Sequence, residues 1–229
     1  MNNITCMIPC RSGSKGIVNK NIKDLGGKPL VAYTIECAQR AGIERVIVNT
    51  DGSEIAKIAR SYGAEVMMRP EELGRDETSM YEVLNSEVPK INPIPEMVCL
   101  LQATVPFRKK VDITRAINLL VKHRDEYDSL ISVEPVPTKY NPAQVIVTTP
   151  LGSRMASGAP ISQRIRRRQE FPDSFIPTGS IYLFKTSNLE AGSIYGDKVF
   201  LMQTEPEINI DSDSDWGKAV LHLKNKQHG

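Results

Sequence analysis

Ile4-Thr5-Cys6-Met7-Ile8-Pro9-Cys10-Arg11-Ser12-Gly13-Ser14-Lys15-Gly16-Ile17-Val18-Asn19-Lys20-Asn21 is the stretch on which the reading of this chain turns. The apolar run over 4–8 reads as a buried first strand, and it enters a turn rich in Ser and Gly. Gly13 and Gly16 let the backbone take conformations closed to other residues and come close to a ligand. Loop N–H groups, the hydroxyls of Ser12 and Ser14, and the cations Arg11, Lys15 and Lys20 then converge, which suits the many acceptor oxygens of a polyphosphate. The loop is neither a Walker A sequence nor a dinucleotide fingerprint, since G-x-x-x-x-G-K-[ST] and G-x-G-x-x-G are both absent. Taken alone, it is equally a basic surface turn that binds nothing.

Working outward, helical and strand patterns alternate. After the turn at Gly26-Gly27, Pro29 suits the first position of a helix whose apolar face is Val31, Ile35 and Ala38, and Gly42 ends it. Val46-Ile47-Val48 is a second strand, a helix follows through Ile55, Ile58 and Ala59, and 65–68 is a third strand. This rhythm implies right-handed βαβ units and a three-layer α/β fold with a mostly parallel, doubly wound sheet. Asp51 ends a strand, where such sheets bind ligands, but capping the next helix is its expected role. Thr78 or Ser79 is expected to cap another helix, and Asp112 a fourth. Met97 to Leu101 and Ser129 to Val133 read as further strands, as does 199–202.

The 229 residues fit one domain, or one domain with an arm. A net charge of +2 gives no bulk electrostatic case for nucleic-acid binding, so any polyanion site is a local cluster. No apolar run is long enough to span a membrane and the first residues do not read as a secretory signal, so a cytoplasmic location is the expectation. Cys6, Cys10, Cys37 and Cys99 lack C-x-x-C spacing and nearby histidines, which reads as buried reduced thiols and not a zinc site.

Seven of the fifteen prolines fall within 134–177, too many for the βα rhythm to continue. Val145-Ile146-Val147 still reads as a strand, so this segment is an extended arm, made basic by Arg154, Arg164, Arg166, Arg167 and Arg168. Further on, Ile208-Asn209-Ile210-Asp211 alternates, placing Asn209 and Asp211 on one side of a strand. Asp215 opens a helix that turns Trp216, Ala219, Val220 and Leu223 inward, and capping is its expected task.

The spacing Ile8-Pro9-x-Arg11-x-x-Ser14-Lys15-Gly16-x-x-x-Lys20-Asn21 resembles the signature of the CMP-N-acylneuraminate (CMP-sialic acid) synthetases. Kdo cytidylyltransferases usually carry Arg-Leu-Pro after the serine; Lys15-Gly16 here favours the nonulosonate branch. The resemblance continues in Arg69-Pro70, in Leu100-Leu101-Gln102-Ala103-Thr104-Val105-Pro106-Phe107-Arg108, in Arg168-Gln169-Glu170-Phe171-Pro172 and in Phe175-Ile176-Pro177-Thr178-Gly179-Ser180-Ile181-Tyr182. It implies a fold of the nucleotide-diphospho-sugar transferase type, 1–229 forming one cytidylyltransferase domain with 134–177 an inserted dimerisation arm. It implies CTP held by Arg11, Ser14, Lys15, Gly16, Lys20, Asn21 and Arg69, with Ser79 the candidate hydroxyl beside the nucleotide, although a plain cap serves that residue equally.

The same resemblance places a sugar acid of the N-acetylneuraminate, legionaminate or pseudaminate type against Gln102, Lys139, Arg168, Thr178 and Tyr182. It implies Mg2+ on Asp211 and Asn209, and catalysis by Arg11, Lys20 and Asp211. A homodimer follows from the family's arm, which lends basic residues to a neighbouring site. Two positions depart from the family pattern. Thr178 stands where Asn is usual, which bears on sugar choice, and Asn209 replaces the first carboxylate of Ile-Asp-Ile-Asp, which implies weaker metal binding or loss of a second metal. A Kdo-type synthetase and a non-catalytic nucleotide-binding paralogue are the alternatives.

Overall fold

The computed structural model describes residues 3–14, 16–150 and 152–227. Lys15, one of the loop cations named above, lies outside the described residues.

Strand β1 (Ile4–Pro9) is the axis of a seven-stranded sheet. It pairs in parallel with β2 (Arg45–Thr50) on one side and β4 (Met97–Leu100) on the other, Cys6 lying opposite Val46 and Cys99. β3 (Glu65–Met68) lies outside β2. Beyond β4 come β8 (Phe175–Lys185), β5 (Ser129–Pro135) and β9 (Val199–Gln203). β8 alone runs antiparallel to its neighbours. The mostly parallel α/β sheet expected from the βα rhythm is therefore present.

The strand order reverses at β1. The chain moves outward through β2 and β3, then returns past β1 to β4. Right-handed crossovers in opposite directions put their helices on opposite faces. Accordingly α1 (Leu30–Arg40) and α2 (Ser53–Ser61) cover one face, where Val31, Ile35, Ile55 and Ala59 pack on Cys6, Ile8, Val46, Val48 and Cys99. α4 (Lys110–Lys122) departs from the right-handed expectation: it carries the chain from β4 onward to the parallel β5, yet Ile113 and Leu120 pack on this same face, so its crossover has the opposite hand to the other three. α3 (Met80–Glu87) covers the other face, Leu84 meeting Met7, Ile47, Val98 and Phe184. Successive residues of β1 thus feed alternate cores, as a pleated strand requires. Each fully buried branched side chain contributes roughly 1.5–3 kcal/mol. A third cluster joins the loop after β1 to α5 (Asp213–Gln227) through Ile17, Leu25, Leu30, Ile210 and Ala219. All four cysteines are free and buried. Among the described residues no helix is long and apolar enough to cross a membrane.

Several local expectations change. Asp51 does not cap α2, whose N-cap is Gly52; its carboxylate bonds Ser12 and Arg69 instead. Asp112 sits inside the first turn of α4, after the N-cap Lys109, and pairs with Arg115. Ser79 does cap α3, in a reciprocal box with Glu82. Residues 208–211 form no strand; Ile210 N–H donates to the Thr104 carbonyl while the Ile210 side chain is buried.

Within 134–177, β6 (Ile146–Thr149) and β7 (Gly152–Met155) pair only with each other. The segment is pinned at its root, where Val136 N–H donates to Ser174 O at 2.9 Å and Asn141 Nδ2 to Pro172 O at 3.0 Å. Ile146, Ile161, Ile176 and Tyr140 are exposed along it.

Candidate active site

At the carboxyl ends of β1 and β4, where the strand order reverses, lies a cavity of about 400 Å3. Open α/β sheets bind ligands at this position. The loop after β1 forms one wall. Its entry is tied to β2, Cys10 N–H donating to Asn49 O at 2.8 Å, and Asn21 Nδ2 donates to Arg11 O at 3.0 Å, closing the loop on itself. The opposite wall is the acidic segment before α5. Lys20 Nζ spans the two, donating to Ile210 O at 2.8 Å and to Asp211 Oδ1 at 3.2 Å.

Gly16 makes that closeness possible. A Cβ there would lie 2.6 Å from the Asp211 carbonyl oxygen. Gly13 carries no such constraint, since an added Cβ meets nothing within 4 Å.

Of the residues expected to hold nucleotide and metal, Arg11, Ser14, Gly16, Lys20, Asn21, Arg69 and Asp211 line this one cavity, and so does Gln102, expected against the sugar. Arg11 pairs with Asp76 from the turn after β3. Arg69 is almost fully buried in the wall, its guanidinium 3.3 Å from Asp51. Burial pushes the Asp51 carboxyl up, but hydrogen bonds from Ser12 and the nearby Arg69 charge outweigh it and hold the group below the ordinary carboxylate range.

Asn209 Nδ2 donates to Asp211 Oδ2 at 3.1 Å, so the two residues share a side as the alternation implied. Its Oδ1 is buried without a partner. Asp215 completes a cap with Ser212 at the start of α5; the bond from Lys218 and those from Ser212 pull its carboxyl down.

Other expected residues are not brought to the cavity. Ser79 spends its hydroxyl and N–H on Glu82. From this part of the chain it is the neighbour Thr78 that lines the cavity, its hydroxyl bonded to Glu72 O at 2.8 Å. Tyr182 pairs with Leu100 and turns its ring toward the α3 face, 6.5 Å from Tyr195. Thr178 is occupied by Ser132, with 2.7 Å between hydroxyl oxygens. Lys139 lies over the Tyr140 ring, and Arg168 lines a separate cleft with Asn141 and Gln203. Both belong to the arm.

Arg108 is the residue whose part sequence reasoning missed. It is buried, and donates from Nε to Ser180 O at 2.7 Å and from Nη2 to Gln102 O at 2.9 Å. It thereby fixes the Gln102 backbone against Ser180 of β8. Burial lowers its pKa, opposed by Cys37 and Glu207. The only signal for it was its place in the stretch 100–108.

A doubly wound sheet with a glycine turn, converging cations and exposed carboxylates at the switch point defines a nucleotide-binding α/β protein. The chain belongs to the cytidylyltransferase family, whose model, described as "Cytidylyltransferase", matches residues 5–197. It is 35% identical to an N-acylneuraminate cytidylyltransferase of Escherichia coli, over 98% of this chain and 53% of that protein. It is 33% identical to N-acylneuraminate cytidylyltransferase A of Danio rerio, over 94% and 50%. The chain thus spans about half the length of these relatives. A Campylobacter coli relative described as post-translational flagellin modification protein B is 29% identical, over 99% of this chain and 97% of that protein. Among solved structures, CMP:2-keto-3-deoxy-manno-octonic acid synthetase complexed with CTP superposes with a TM-score of 0.75 at 16% identity, covering 98% of this chain and all of that one. At that identity the likeness supports the fold.

Proposed function

We propose that this chain, as one cytidylyltransferase domain over 1–229, transfers CMP from CTP to a sialic-acid-like nonulosonate and releases pyrophosphate. The observation that carries the reading is the junction at Gly16, Lys20 and Asp211, where a phosphate-type loop and an acidic segment close on one cavity.

The sugar's anomeric hydroxyl oxygen attacks the α-phosphorus. A new P–O bond forms, the bond to the bridging oxygen of the β-phosphate breaks, and the hydroxyl proton is lost. Negative charge grows on the α-phosphate and on the departing pyrophosphate. Arg11, which exchanges Asp76 for phosphate oxygens, and Lys20 stabilise that charge from fixed positions. Ser14, Lys15, Gly16 and Asn21 complete the phosphate cradle, and Arg69 holds the nucleotide from the wall. Gln102, locked by Arg108, faces the sugar.

The residues present fit a magnesium ion. Mg2+ is bound through one or two carboxylates together with substrate phosphates and water. Asp211 supplies an exposed carboxylate, and the unpartnered Oδ1 of Asn209 is a buried oxygen that a cation would satisfy. When bound, the ion neutralises phosphate charge and lowers the pKa of the attacking hydroxyl.

The arm over 134–177 joins two copies and brings Lys139 and Arg168 to the neighbouring cavity. Neither lines the cavity of its own chain, and this with the exposed Ile146, Ile161 and Ile176 supports the reading. The test is incubation with CTP, Mg2+ and a panel of sugar acids, scored by pyrophosphate release. Release with N-acetylneuraminate, legionaminate or pseudaminate is expected. Release with Kdo alone moves the substrate to the other branch, and CTP binding without release refutes the transferase reading.

A further inference from the structure

Behind the cavity wall, a continuous line of polar groups runs from α3 to the glycine loop. Glu87, fully buried at the end of α3, pairs with Lys90 and accepts from Asn49 Nδ2 at 3.1 Å. Asn49, fully buried near the end of β2, accepts from Arg69 Nη1 at 3.2 Å. Arg69 Nη2 donates to Asp51 Oδ1 at 3.3 Å. Asp51 accepts from the Ser12 hydroxyl at 2.5 Å and from the Ser12 N–H at 3.2 Å, across 39 residues of chain. The turn Glu71–Gly74 covers this line so closely that a Cβ on Gly74 would lie 2.9 Å from the Asp51 carboxylate.

We infer that Asn49 and Asp51 are positioning residues for nucleotide binding, which set the Arg69 guanidinium and the entry of the glycine loop in one register. The inference rests on the reading that the cavity takes CTP. Three observations support it. First, the guanidinium is gripped on two nitrogens, one by Asn49 in β2 and one by Asp51 just after it, while Arg69 Nε is buried with no partner. A group placed for stability alone does not ordinarily leave a buried donor unpaired. Second, each gripped nitrogen keeps a second N–H, so the fork remains able to donate into the cavity that Arg69 lines. Third, the same carboxylate that holds Arg69 also holds Ser12, so a shift of one moves the other. An arginine fixed in advance loses less rotamer freedom when the ligand arrives, which strengthens binding without adding a contact.

The experiment uses the full chain. CTP binding is measured by calorimetry for the wild type, Asp51→Asn, Asn49→Leu, Arg69→Met and the double variant Asp51→Asn/Arg69→Met, below each protein's unfolding temperature. Steady-state kinetics give KM and kcat for CTP. Losing one charge-assisted grip is expected to weaken CTP binding by about tenfold to a hundredfold. KM rises to match, and kcat stays within about threefold because ground-state and transition-state binding are lost together. Asp51→Asn should add little once Arg69 is Met, because the two act through one unit.

Wild-type protein that fails to bind CTP overturns the parent reading and this inference with it. Wild-type binding with unchanged affinity in Asp51→Asn and Asn49→Leu, or fully multiplicative effects in the double variant, overturns this inference alone. A lowered unfolding temperature with intact CTP affinity would make the network purely structural and likewise overturn it.

Discussion

Replacing Gly16 with Ala tests the central junction with a single methyl group. The added carbon would sit 2.6 Å from the Asp211 carbonyl oxygen, a backbone atom that cannot swing aside. The contact itself is the perturbation. Carbon and carbonyl oxygen approach no closer than about 3.3 Å even in weak hydrogen bonds, so the two walls must separate by most of an ångström. Lys20 Nζ, now 3.2 Å from Asp211 Oδ1, either loses that partner or follows it away from the phosphates. Misplacement on the order of 1 Å commonly costs about a hundredfold in rate. Overpacking of this kind costs about 1–3 kcal/mol of stability. In a chain of this size that lowers Tm by roughly 2–10 °C. The assay is pyrophosphate release under saturating CTP beside thermal unfolding followed by circular dichroism. A variant with kcat within twofold of wild type and an unchanged Tm would show that the walls need not touch, and the junction would lose its role.

Arg11→Ala and Asp211→Ala should each lower kcat by about a hundredfold to a thousandfold while leaving the circular dichroism spectrum unchanged, since both side chains are partly or largely exposed; near-normal turnover would remove the assigned role. Asn209→Asp supplies a second carboxylate beside Asp211 and should tighten Mn2+ binding by about tenfold, read by electron paramagnetic resonance without turnover; equal affinity would show that position 209 does not face the ion. Ile146→Asp places a charge on the exposed face of the arm and should shift the mass by light scattering from dimer to monomer; an unchanged mass argues against the arm as the interface. Burial pushes the Cys10 and Cys99 thiols up to about 12, and raises Cys6 and Cys37. Thiolate is the reactive form, so at pH 8 a thiol reagent should modify none of the four in folded protein and all four in guanidinium; modification of any within seconds would place it in an accessible site.

The fold was legible where hydrophobic spacing speaks locally. Val31, Ile35 and Ala38 mark the inner face of α1, and Val46-Ile47-Val48 marks β2, because burial on a sheet or helix imposes its own period. The cavity loop was legible for a similar reason: glycines, hydroxyls and cations within a few residues leave few other uses. Residues whose partners are remote were not. Asp51 looked like a helix cap because Ser12 is 39 positions away. Arg108 gave no sign of burial because its partners are mainly backbone carbonyls, which no sequence displays. Tyr182 faces α3 because β8 is antiparallel and its pairing with β5 slips between Ile131 and Val133. Residues 208–211 alternate like a strand, yet among the described residues only one backbone bond, from Ile210 to Thr104, joins them to the region beside the sheet. Whether Lys139 and Arg168 reach a cavity depends on a second copy, which a single chain's pattern does not describe.

The clasp between Lys20 and Ile210 joins positions 190 residues apart. During synthesis the amino-terminal loop leaves the ribosome long before its counterpart is made, so the nascent chain carries the cations without the wall that confines them. The closed junction therefore forms late, once residue 211 has emerged and docked. A chain cut between residues 203 and 211 would retain all seven strands of the sheet and still have no closed chamber.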